Sequence, residues 1–258
     1  MKTLMKLLVM GSFLMLTVIS CKKDPSPPAI PPASTMAIDF GDFNSTKSLV
    51  ATDSVIPPAS NWGYCAAGAT FWNIILTVTL AVPVASFYES FKHEGAYQSE
   101  NTWVWAYSFT AIFKYNAKLT AKAVGDSIHW EMRISQQGGF QDVVWYTGVS
   151  AKDGSKGNWT LNENALNPTK FIYIEWNRDQ DIKYTLVKAA DPNVGAYIKY
   201  GKLATGNFNA FYQIYLYNNL TDIEWNTTTK DGHVKDPNAY GDSEWHCWST
   251  SLQNTTCN

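Results

Sequence analysis

The chain has 258 residues, of which 45% are hydrophobic, 14% aromatic and only 16% charged, with a formal net charge of −2. An average soluble chain carries roughly 25% charged residues, and here aromatic, Thr and Asn residues stand in their place. No dense Lys/Arg run follows the first 20 residues, which leaves no electrostatic footprint for nucleic acid and no polybasic patch for anionic lipid headgroups.

In chain order, the first element is a targeting segment. Lys2 and Lys6 precede an apolar run, Leu7–Ile19, which ends at the small residue Ser20. A basic start, a short apolar stretch and a small residue at the cut mark a secretory signal peptide over residues 1–20. The run is too short to span a bilayer, which takes about 20 apolar residues. The next residue is Cys21, and the sequence Leu16-Thr17-Val18-Ile19-Ser20-Cys21 resembles the lipobox of bacterial lipoproteins. That resemblance implies cleavage before Cys21, acylation of its thiol and new amino group, and a membrane as partner through the lipid. Two or more acyl chains anchor stably where one binds only marginally. Lys22, in place of an inner-membrane retention Asp, implies an outer-membrane address. The run Cys21-Lys22-Lys23-Asp24 partly matches the export signal of surface lipoproteins in Bacteroides-like bacteria, which implies a periplasmic or cell-surface face.

Residues 21–35 read as a lipid-anchored tether. Five prolines between Lys22 and Ser34 forbid helix and sheet ladders and favour an extended spacer. At about 3.1 Å per residue, it would hold the domain roughly 30–40 Å off the membrane. Residues 36–258 are then expected to form a single β-rich domain.

Ala66 to Tyr88 contains no charge in 23 residues, enough to mimic a membrane span. Asn73, Thr77, Thr79 and Pro83 interrupt it, and a buried element fits better. The β-branched run Ile74–Val84 favours a strand through about Leu80. Phe87 and Phe91, four apart, favour a short helix beginning near Pro83.

From Trp103 onward the pattern has period 2. Trp103, Trp105, Tyr107, Phe109 and Phe113 alternate with smaller or polar residues, as do Trp130–Ile134 and Phe171–Trp176. Turn signals separate the runs at Gly125-Asp126, Gly138-Gly139, Asp153-Gly154 and Asp231-Gly232. Strands at this spacing predict a mainly-β fold, an antiparallel meander barrel or a sandwich of about ten strands, with one short apolar helix near the N-terminus.

Residues able to do chemistry are sparse. After Cys21 the cysteines are Cys65, Cys247 and Cys257. An oxidising compartment favours a disulfide. Cys247–Cys257 is the first candidate, with Cys65–Cys257 and Cys65–Cys247 behind it. No HxH, HExxH or CxxC spacing occurs. His129, Glu131 and Arg133 share one face of a strand, which is more often a wet sheet face than an acid/base row. Asp231, Asp236, Asn238 and Asp242 form a dense polar loop with oxygen ligands for calcium, although the spacing is that of ordinary turns. Glu175, Glu224 and Glu244 each precede a Trp; paired carboxylates beside aromatics describe glycosidases, but burial of each Trp explains the dipeptides as well. No cofactor is implied.

The expected function is non-catalytic ligand binding by a surface lipoprotein, with Trp103, Trp105, Trp245 and Trp248 as candidate ring platforms for a glycan. The rival expectations are an apolar small molecule carried in a barrel cavity and a glycan-active hydrolase.

Overall fold

A computed structural model describes residues 24–38, 40–43 and 59–257. The signal peptide and Cys21 lie outside these residues. The strands are β1 (Ala96–Tyr97), β2 (Thr102–Thr110), β3 (Lys114–Val124), β4 (Ser127–Gln136), β5 (Val143–Ala151), β6 (Lys156–Asn162) and β7 (Lys170–Asn177). They continue as β8 (Asp181–Leu186), β9 (Tyr197–Lys202), β10 (Ala210–Leu216), β11 (Asn219–Trp225), β12 (Gly232–Lys235), β13 (His246–Trp248) and β14 (Asn254–Thr255). A long helix, α1 (Asn61–Ser90), precedes them, and a single-turn helix, α2 (Pro237–Tyr240), follows β12.

All 14 strands form one antiparallel sheet in sequence order. The mainly-β expectation holds. The finer one does not: this is an open meander rather than a closed barrel, and the described residues form 14 strands rather than about ten. The surplus lies partly in very short strands such as β1, β13 and β14, which have two or three residues each. So few residues cannot display a period of 2.

Alternation along each strand makes the sheet two-faced. On β2, Trp103, Trp105, Tyr107 and Phe109 are buried, while Ala106, Ser108 and Thr110 face out. On β3, Leu119 and Ala121 face in, while Lys118 and Lys122 face out. Large rings are matched to small partners across the ladder. Trp159 pairs with Gly148, and Trp176 with Gly157. A Cβ on Gly157 would stand 2.5 Å from the Trp176 ring, and one on Gly148 would overlap the Trp159 ring. Glycine therefore forms the seat on which each indole lies.

A single sheet leaves its apolar inner face uncovered. Two N-terminal segments cover it, running in opposite directions. The first is the proline-rich stretch. It joins no sheet ladder and carries two short 3₁₀ turns, Ala33–Thr35 and Gly41–Phe43, but it is not a free spacer: residues 24–38 and 40–43 lie along the inner face as a strap. The Trp103 indole on β2 donates to the Pro25 carbonyl at 2.9 Å. The Trp159 indole on β6 donates to Thr35 Oγ1 at 3.2 Å, and the Trp225 indole on β11 to Asp42 Oδ2 at 2.9 Å. Phe43 then packs edge-on against Trp225 and Trp248. Thus the strap crosses from β2 to β13.

Helix α1 runs back. Ser60 caps its start by accepting from the Gly63 N–H at 3.0 Å. Asn61 Nδ2 donates to the Cys247 carbonyl on β13, and the Asn61 N–H donates to Asn254 Oδ1 on β14, both at 2.8 Å. At the far end, Tyr107 on β2 donates to the Ser86 carbonyl at 2.6 Å, and Phe87 meets Tyr146 and Trp159 of β5 and β6. Cys65, Ala69, Trp72, Leu76, Leu80, Pro83 and Phe87 are all buried. Their spacing of three and four residues is one helical face.

This corrects the expected strand through Leu80 and the expected short helix. The segment is one 30-residue helix with Pro83 inside it. Its β-branched residues would suit a strand by propensity, but burial of a full helical face against the sheet overrides a preference of a few tenths of a kcal/mol per residue.

Cys247 and Cys257 form the disulfide, with Cα atoms 5.3 Å apart, and Cys65 is free and buried. The bond holds the last strand against β13.

Two outcomes follow from this packing. Trp105→Ala is expected to cost about 3–5 kcal/mol of stability, read as a lowered midpoint in urea denaturation. Breaking the disulfide with Cys257→Ser is expected to cost about 2–3 kcal/mol, as for a short closed loop, and to raise amide exchange at β13 and β14.

Candidate functional site

The residues proposed from sequence do not converge on one place. Trp103, Trp105 and Trp248 are buried and belong to the core. Their rings cover the strap or their neighbours and offer no free face to a ligand. Trp245 is half-buried. It stacks on the His233 imidazole at 3.6 Å between centroids, with Lys235 Nζ 4.8 Å from its ring. Its partners are thus residues of β12.

His233 sits in a small outward cluster. Glu224 on β11 lies opposite it in the register, 2.9 Å from Nε2, and Phe208 meets the imidazole edge-on. Burial pushes His233 below the ordinary histidine range, outweighing the Glu224 carboxylate that favours its charged form.

The polar loop after β12 is a structural knot. Asp236 is fully buried. Its Oδ1 caps α2 by accepting from the N–H groups of Asn238 and Ala239, and also accepts from Asn219 Nδ2 at 2.7 Å. Its Oδ2 accepts from Tyr64 on α1 at 2.6 Å and from the Thr221 hydroxyl. Burial alone would raise this carboxyl. The hydrogen bonds from Thr221, Tyr64, Asn219 and Ala239 win and hold it below the usual carboxylate range. Asp242 pairs with His246 at 2.9 Å, Asp231 accepts from Thr229, and Asn238 serves the cap through its backbone. The calcium candidates are thus spread over separate local contacts. Among the described residues, no group of three or more His, Cys, Asp or Glu side chains is arranged to hold a metal.

The carboxylates suggested for hydrolysis are also apart. Glu175 is on β7 and Glu224 on β11. Four strand spacings separate them, about 19 Å along the sheet, against the roughly 5–10 Å of glycosidase pairs. Glu244 lies in the turn before β13.

One concavity does bring polar groups together. The outer face of β3–β6 forms an open depression of about 520 Å³, where Thr120, Lys122, His129, Glu131, Thr147, Asn158 and Thr160 stand around apolar surface from Trp130, Gly148 and Val149. The ladder explains the grouping: Lys122 pairs with His129, Thr120 with Glu131, Glu131 with Thr147, and Thr147 with Thr160. His129 and Glu131 share this face as the alternation predicted. Glu131 is held by Arg133 Nε at 2.6 Å, and Arg133 in turn reaches Asp142 at 3.0 Å. The site therefore offers hydroxyl, amide, ammonium and imidazole groups on a rigid sheet. Sequence reading found the His129 row but missed Thr147, Asn158 and Thr160. Their alternation was visible; which strands stand beside β4 was not.

Compared with protein-family models, curated proteins and solved structures, the chain matches none.

The depressed Asp236 carboxyl gives a signed pH effect. Its contribution to stability is full above the unfolded carboxylate value of about 3.9 and is lost as pH falls through the lower folded value. Asp236→Asn is expected to cost on the order of 2–4 kcal/mol at pH 7, because buried partners lose a charged acceptor. The same variant is expected to flatten the acid limb of the stability curve. Urea midpoints at pH 7, 5 and 3 check both effects.

Proposed function

We propose that this chain is a membrane-anchored, non-catalytic binding protein, held by acyl groups on Cys21, that takes a glycan in the outer depression of β3–β6. The observation that carries the reading is the lining of that depression. Thr120, Thr147 and Thr160 supply hydroxyls, Asn158 an amide, and Lys122 and His129 donors. Polyhydroxylated ligands are bound by such convergent donors and acceptors placed on a rigid frame.

The aromatic excess that first suggested sugar stacking is spent mainly inside the fold, so hydrogen bonding takes the leading part. The apolar-ligand alternative is disfavoured by the same packing, since Met36, Phe43, Leu76 and Phe87 are buried against the inner face where such a ligand would lie. The hydrolase alternative loses the pair that suggested it, since Glu175 and Glu224 lie four strands apart, and Glu131 is tied up with Arg133.

Affinity electrophoresis through gels containing dextran, xylan or mixed-linkage glucan tests the binding. Retardation by at least one polymer is expected, with at least a fivefold loss of affinity in Thr147→Val/Thr160→Val at an unchanged melting temperature (surface changes of this kind alter stability by about 0.5 kcal/mol or less). Equal mobility in every gel would overturn the glycan reading. For the anchor, Cys21→Ser is expected to release the protein from the membrane fraction or to stall its processing. Unchanged fractionation with normal cleavage would overturn it.

A further inference from the structure

We propose that the outward stripe of α1 rests in the lipid surface to which Cys21 is attached, so that the helix lies along the membrane and the polar outer face of the sheet points away from it. This rests on the reading of Cys21 as acylated.

The side of α1 turned away from the sheet is largely apolar, with Thr70 and Thr77 exposed among its rings and aliphatic groups. Phe71 is 48% exposed, Ile74 58%, Val78 71%, Tyr88 44% and, just past the helix, Phe91 45%. Contiguous apolar surface of this kind on a soluble protein marks an interaction site. No residue between Ala66 and Tyr88 is charged.

Two threonine hydroxyls of this stretch have partners within the helix itself. Thr77 donates to Asn73 Oδ1 at 3.0 Å, and Thr79 donates to the Ile75 carbonyl at 2.5 Å. Hydrocarbon offers no hydrogen bonds, so groups facing it must be satisfied internally. A protein partner imposes no such demand, and it would ordinarily use polar or charged groups to set its register. Between Ala66 and Tyr88 the stripe has no charge to offer such a partner, and the exposed hydroxyls of Thr70 and Tyr88 lie towards its two ends.

Chain geometry brings the anchor to the same side. The Trp103 bond pins Pro25 at β2, and Cys21 stands four residues earlier, at most about 14 Å of extended chain. The C-terminal end of α1 is tied to Tyr107 of the same strand, about 13 Å along β2 from Trp103. Because the strap is docked, the lipid is held near the helix instead of at the end of a long spacer.

The helix is long and apolar enough to cross a bilayer, but it lies on the surface. It is bonded to the sheet at both ends, through Asn61 and Ser86, and one face is buried along its length. The opposite side of the sheet carries Lys118, Lys122, Glu131 and Arg133, which belong in water.

Full-length, acylated Val78→Cys and Thr147→Cys proteins carrying a nitroxide test this. Cys65 is buried and Cys247 is bonded to Cys257, so the label goes to the introduced thiol. In phosphatidylethanolamine–phosphatidylglycerol vesicles, the label at Val78 is expected to collide severalfold more with oxygen than with a water-soluble nickel chelate. The label at Thr147 is expected to show the reverse. Equal chelate access at the two positions would overturn the proposal, as would spin–spin broadening at Val78, which would place a second copy on the stripe. Mass spectrometry of the Cys21 peptide reads acylation separately. An unmodified Cys21 with lipid contact at Val78 would sink the anchor and leave the stripe. An acylated Cys21 with a watered Val78 would do the opposite.

Discussion

A sheet one layer thick with one apolar face cannot stand in water unless something covers that face. Everything in this molecule answers that constraint. The inner side of the meander carries Trp103, Trp105, Trp130, Trp159, Trp176, Trp225 and Trp248, all buried. In a sandwich a second sheet would cover them, and in a closed barrel the opposite wall would. Here a proline-rich strap and a 30-residue helix cross the face in opposite directions. Their burial supplies the hydrophobic stabilisation, while the tryptophan N–H groups give the strap its position. Three of those indoles bond to the strap at Pro25, Thr35 and Asp42.

The arrangement divides labour between the faces. The inner one is filled by chain, so its rings are structural. The outer one is free to vary without disturbing the core, because alternation keeps its side chains away from the packing. The depression over β3–β6 is such a place: Thr147 faces out beside Gly148, whose inward side seats the Trp159 ring. The Asp236 knot works differently. It links α1, β11 and α2 through one carboxylate, and its polar groups are consumed in holding the helix to the far end of the sheet.

Much of this was legible in the chain. The alternation of Trp103–Phe109 and of Trp130–Ile134 marks β2 and β4 with their inward faces. The ten-residue separation of Cys247 and Cys257 made their pairing the first candidate, and the structure forms it. Helix α1 was misread because its segment is apolar on every side. A buried stripe is recognised by contrast with a polar one, and Phe71, Ile74 and Val78 remove the contrast. The prolines keep the stretch out of the ladders, but it is docked and not a free spacer; no local signal reveals that a tryptophan 78 residues away will bond to its carbonyl.

The sequence by itself determined the local matters: strand periodicity, turn positions and the exclusion of the proline-rich stretch from the sheet ladders. These depend on residues within a few positions of one another, where the periods of 2 and 3.6 and the limits on proline and glycine act. The tertiary structure alone decided that the sheet stays open at 14 strands, that the apolar segment is a helix, and which tryptophans are covered. Those outcomes turn on contacts between distant residues, such as Thr35 with Trp159 and Asn61 with Cys247. There the free energy of covering a large apolar face outweighs local preference, and no window of sequence contains both partners.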